Sequence, residues 1–119
     1  MTKRTEAVSG LKGVDLDMAV ARAESITLGE PMPLLKAGST PPPYSSDWLW
    51  AGPIIDRERI TITQGWTSEK ILACIHVEHD CQGYYRGCYS WKCRGDTAME
   101  AAMRSYCRKV FGDYVTLGD

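Results

Sequence analysis

Three observations predict an α+β domain. Residues 12–24 carry apolar positions at helical spacing, residues 59–92 hold three alternating runs joined by short turns, and Thr97 opens a second amphipathic stretch. The expected architecture is an antiparallel three- to four-stranded meander flanked by an N-terminal and a C-terminal helix, with a long proline-rich loop. A chain of 119 residues suits one core. Residues 1–10 are polar and expected to be loosely held, leaving 11–119 as the single domain.

The first helix rests on Leu11, Val14, Met18 and Ala21, with Leu16 and Val20 alongside and Asp15 and Asp17 in its early turns, where negative charge suits the helix dipole. Ser25 to Pro53 then contains all six prolines, so regular structure is expected to be scarce, with Ile26-Thr27-Leu28 offering one short strand. The strands follow at 59–64, 71–78 and 84–92, where Ile60 and Ile62 alternate with Thr61 and Thr63, and Ala73, Ile75 and Val77 alternate with Cys74, His76 and Glu78. Short turns imply antiparallel pairing. The last helix is expected over 97–111. Thr97 and Glu100 have capping-box spacing, Met99, Met103, Tyr106 and Val110 form its apolar stripe, and Gly112 suits a left-handed C-cap.

Composition removes several function classes. Hydrophobic residues at 44% and charged residues at 24% exclude collagen-like, coiled-coil and wholly disordered chains. Apolar runs are too short for a membrane span, and no apolar segment follows the charged start as in a secretory signal, so a cytoplasmic protein is expected. Fourteen basic against fifteen acidic residues make no case for a nucleic-acid partner. Arg104, Arg108 and Lys109 cluster at a helix end, where cations complement the dipole.

Cys74, Cys81, Cys88, Cys93 and Cys107 are an odd number, which argues against a disulfide framework. His76 and His79 lie nearby, but there is no Cys-x-x-Cys, and on a strand the two imidazoles point to opposite faces. Buried thiols are expected, with no metal and no cofactor. No nucleotide-binding, hydrolase or metalloprotease motif is present. Asp56 and Glu58 would share a face of a strand, yet no third group completes a catalytic set, so the chain reads as non-enzymatic. Were it an enzyme, Asp47, Asp56 and Glu58 would be the first carboxylates to suspect.

The segment Tyr44-Ser-Ser-Asp47-Trp48-Leu-Trp50 carries the functional expectation. Tryptophan offers a large flat surface at low ordering cost, suited to stacking on a base, a ring or a partner. Tyr44 and Asp47 add hydrogen-bonding groups, Arg57 a partner for phosphate, and Arg86 a further cation from the meander. Gly52-Pro53 is expected to turn the chain into Ile54-Ile55. The bland reading has Trp48 and Ile54-Ile55 anchoring the loop to the core, with Trp48 the stronger anchor.

Three blocks carry a resemblance. Pro43-Tyr44-Ser-Ser-Asp47-Trp48-Leu-Trp-Ala51-Gly52-Pro53-Ile54-Ile55-Asp56-Arg57-Glu58-Arg59-Ile60 resembles the central signature of the NinX-like small proteins of tailed phages and prophages. Leu16 to Ala23 resembles that family's first helix, and Gly95 to Asp113 its last, in the same order. The family's aromatic pair near Met18-Ala19 is missing, and Ala98 stands where proline commonly follows the threonine. The resemblance implies a phage accessory protein in the host bacterial cytoplasm. The expected function is a binding module that counters host antiviral defence by sequestering a nucleotide-type immune signal. The alternative is an inhibitor that binds a host defence or regulatory protein. A homodimer or higher homo-oligomer is also expected, since four Trp and six Tyr exceed what so small a core easily hides.

Overall fold

A computed structural model describes residues 4–30, 40–64, 71–81 and 84–117, with backbone alone at Arg4, Gln64, 76–81 and 84–90. The chain is α+β. A three-stranded antiparallel sheet in the order β2-β3-β4 comprises Ile60–Gln64, Ile71–Cys81 and Tyr84–Gly95. The meander is therefore as expected, with β3 and β4 extending further than their alternation indicated. Ala73 pairs with Cys93 and Ile75 with Ser90, so Trp91 and Lys92 together oppose Cys74. This is a β-bulge, and it puts Trp91 in the left-handed region at φ 55°. The Ser105 hydroxyl, donating 2.6 Å to the Trp91 carbonyl, holds the bulge against α3, Ala98–Phe111.

α3 is the centre of the molecule. One side rests on the sheet, and the other receives α1, Gly13–Leu28, so α1 packs chiefly on α3 and forms an outer layer. Small residues make this possible: Ala19, Ala21 and Ala23 of α1 and Ala101 and Ala102 of α3 are fully buried. Gly95 lets β4 come equally close, because a Cβ there would sit 2.5 Å from the backbone nitrogen of Ala101. Thr97 caps α3 by accepting the Glu100 amide at 3.1 Å, and the Glu100 carboxylate accepts from the Asp96 amide at 3.2 Å. Gly112 closes the helix with positive φ, at 85°, but ψ −150° takes it outside the left-handed helical cap expected. Only Arg108 and Lys109 lie in the last turn of α3, with Arg104 mid-helix, and the arginines do more than complement a dipole. Arg104 donates to the Leu11 and Arg94 carbonyls, and Arg108 to the Lys92 carbonyl.

Three expectations are corrected. Ile26-Thr27-Leu28 is the last turn of α1, which continues until Gly29 takes the left-handed conformation at φ 66°. The polar residues at the start are not loose: Arg4–Ala7 forms β1, paired antiparallel with β5, Tyr114–Leu117, and Val8 after it is fully buried. Trp48–Glu58 is a helix, α2, with Gly52 and Pro53 inside it, so no turn precedes Ile54. Proline removes only one helical donor here, the partner of the Leu49 carbonyl, at an exposed position where water can replace it. Pro31 and Pro33 lie outside the described residues.

Candidate binding surface

Tyr44 to Asp47 forms a tight turn in which the Ser46 and Asp47 amides both donate to the Pro43 carbonyl. The Ser45 amide donates 2.7 Å to the buried carboxylate of Asp17, fastening this turn to α1. Asp47 is the N-cap of α2, its side chain accepting the Leu49 amide at 2.9 Å. Its role is to start the helix. Ala51 and Ile54 point inward and are buried, which throws the opposite side of the first turn into solvent.

The result is an apolar crown. Leu49 is 74% exposed, with Trp48 at 53% and Trp50 at 41% on its two flanks. Trp48 is therefore not the anchor; Tyr44 is, buried to 5% exposure, with Trp50 edge-on to it at 5.8 Å. Burial pushes the Tyr44 hydroxyl above its ordinary pKa, with Glu24 and Asp17 adding to the effect.

Arg57 stands seven residues beyond Trp50, about 10 Å along the helix. Its guanidinium is engaged bidentately by Glu24 of α1, donates 2.9 Å to Glu58 and donates 3.1 Å to the Tyr106 hydroxyl. Hydrogen bonding to Glu24 raises its pKa further despite partial burial. Tyr106 in turn donates to Glu24 at 2.8 Å and meets the Thr27 hydroxyl at 2.7 Å. Glu58 continues the chain to Lys109 at 2.7 Å, whose ammonium lies 6.0 Å from the Trp91 ring centre. Three helices are thus tied together by alternating charge, and β4 joins them through the Trp91 ring. Asp56 and Glu58 do not share a face, because on a helix two residues differ by about 200°. Asp56 is exposed, while Glu58 is turned inward onto its cations.

Of the six residues expected at the site, the structure joins Tyr44, Asp47, Trp48 and Trp50 around one helix start. It sets Arg57 apart in the ionic clamp. The side chain of Arg86 lies outside the described residues, as do those of Cys81, Cys88, His76 and His79. Cys74, Cys93 and Cys107 are free and buried, and burial raises all three thiols. Sequence reasoning missed Leu49, the most exposed large apolar residue of the turn. Reading Asp47 as an N-cap would have found it, since on the helix that follows Leu49 falls about 200° from Ala51 and about 140° from Ile54, opposite the buried side. Among the described residues no helix is long and apolar enough to cross a membrane. In comparisons with known proteins, no family model and no curated protein matches the chain.

Proposed function

We propose that this chain is a non-enzymatic binding module that docks a host protein through the Trp48–Leu49–Trp50 turn. The observation carrying the proposal is the exposed Leu49 between two part-exposed tryptophans at a rigidly capped helix start. Such clusters of large side chains supply the central anchors of protein interfaces. A nucleotide-type signal is less well served by this surface, because the guanidinium reserved for its phosphate is occupied by Glu24 and Glu58. The phage setting, the role against host antiviral defence and the host cytoplasm rest on the resemblance of the three sequence blocks to the NinX-like proteins. Self-association as a twofold dimer belongs to the same proposal, since an apolar crown is also what a second copy would cover.

The test is capture of host proteins by the purified chain and by its Trp48→Ala and Leu49→Asp variants. A stoichiometric partner held by the wild type and released by both variants, with unchanged circular dichroism, is the expected result. If a nucleotide signal binds at the Trp48–Trp50 turn instead, or anti-defence activity survives both substitutions, the proposal is wrong. Light scattering reads self-association in the same samples.

A further inference from the structure

A cleft of about 340 Å³ opens where the β1–β5 ribbon meets the end of α3, away from the aromatic turn. Val8 and Ser9, Arg108, and Asp113 and Tyr114 line it. Its size falls at the lower end of small-ligand sites, from about 300 Å³ upward.

We infer that this cleft binds a small phosphorylated ring compound of the 5′-mononucleotide class. Arg108 is the phosphate partner. Its Nε donates to Asp113 at 3.0 Å and one Nη donates to the Lys92 carbonyl at 2.8 Å, which fixes the plane of the guanidinium. A guanidinium has five N–H donors, and the bonds to Asp113, the Lys92 carbonyl and the Cys93 side chain still leave donors on a side chain 38% exposed. Planar, pre-positioned donors of this kind suit the oxygens of a phosphate. Tyr114, 65% exposed, supplies a ring face for stacking. Asp113 favours a nucleotide over a bare anion through its acceptor oxygens: its carboxylate opposes either phosphate alike, and only the nucleotide offsets this by donating from ribose hydroxyls or an exocyclic amine. Ser9, exposed on the turn after β1, adds a hydroxyl on the facing wall. The Val8 amide, donating 2.9 Å to the Asp113 carbonyl, holds the two walls at fixed separation.

Amide NMR titration of the whole chain with AMP, adenosine, inorganic phosphate and phenylalanine tests the inference. AMP is expected to shift the amides of Val8, Ser9, Asp113 and Tyr114 while leaving those of α2 in place. Adenosine and phosphate should each bind at least tenfold more weakly, and Tyr114→Ala should weaken AMP roughly tenfold, the worth of one stacked base. Tyr114→Phe should retain binding, and because Tyr114 is exposed neither variant threatens the fold. Arg108→Gln should abolish the preference for AMP over adenosine. Unmoved cleft amides, equal affinity for adenosine, tighter binding of phenylalanine, or AMP affinity unchanged in Tyr114→Ala each overturns it.

Discussion

Arg57 on α2 engages both carboxylate oxygens of Glu24 on α1, thirty-three residues earlier in the chain. The pairing holds α2 to the body through charge, since Ala51 and Ile54 are its only fully buried side chains. Arg57→Ala is expected to cost about 1–3 kcal/mol in urea denaturation, discounted from a buried pair because a third of the side chain meets water. A variant as stable as the wild type would show that α2 is held by packing alone.

The exposed crown and its anchor should respond differently. Trp48→Ala and Leu49→Ala are expected to leave stability within about 0.5 kcal/mol, as exposed substitutions do. Tyr44→Ala empties a buried site and loses the edge contact with Trp50, so it should cost about 3 kcal/mol or more. Thermal midpoints of the three variants decide this. A Trp48→Ala chain that unfolds would restore Trp48 as the anchor.

Two glycines predict unequal effects. Gly95→Ala forces a methyl against the Ala101 backbone, which no rotamer can relieve, and should cost about 2–3 kcal/mol. Gly52→Ala meets open space beyond its chain neighbours, but its methyl would press on the Pro53 ring in the helical conformation; this offsets the gain in helix propensity, and stability should change by no more than about 0.5 kcal/mol. Both follow from paired denaturation curves, and equal effects would contradict the close approach of β4 to α3.

Acid should act through Glu58. Burial by itself would raise its carboxyl, but hydrogen bonds from Lys109 and Arg57 outweigh burial and hold it below the ordinary value of 4.5. A carboxyl lowered in the folded state contributes stability that is present above that ordinary value and lost as pH falls through the folded one. The thermal midpoint is thus expected to decline below about pH 4.5. Glu58→Gln should begin lower at neutral pH and decline less steeply on acidification. Parallel profiles for the two proteins would remove Glu58 from the account.

The elements readable from sequence were those whose signals are local. Thr97 and Glu100 announce α3 within one turn, and the alternation of Ile60, Ile62, Ala73 and Ile75 is visible within each strand. α2 escaped because Gly52-Pro53 reads as a breaker, which the Asp47 cap, the burial of Ala51 and Ile54 and the Arg57 pairing with Glu24 together override. β1 escaped because its polar-rich residues become a strand only when their partner, more than a hundred positions away, is beside them, and β5 because the alternation of Val115 and Leu117 with Tyr114 and Thr116 is too short to stand alone. The site divides the same way. Aromatic character at Trp48 and Trp50 is written locally, whereas the engagement of Arg57 depends on Glu24 and Tyr106, which only the fold brings near.

The β1–β5 ribbon has a mechanical consequence. Arg4 faces Leu117 directly, and the ladder's bonds run across the strands. Tension applied between those two residues therefore falls on one pair of bonds at a time, peeling the ribbon from its open end. A load in shear would have to break the whole ladder at once. Pulled this way, the ribbon opens first at Arg4–Leu117, and the opening travels toward Val8 and Asp113, drawing Leu117 and then Val115 out of the core as it goes.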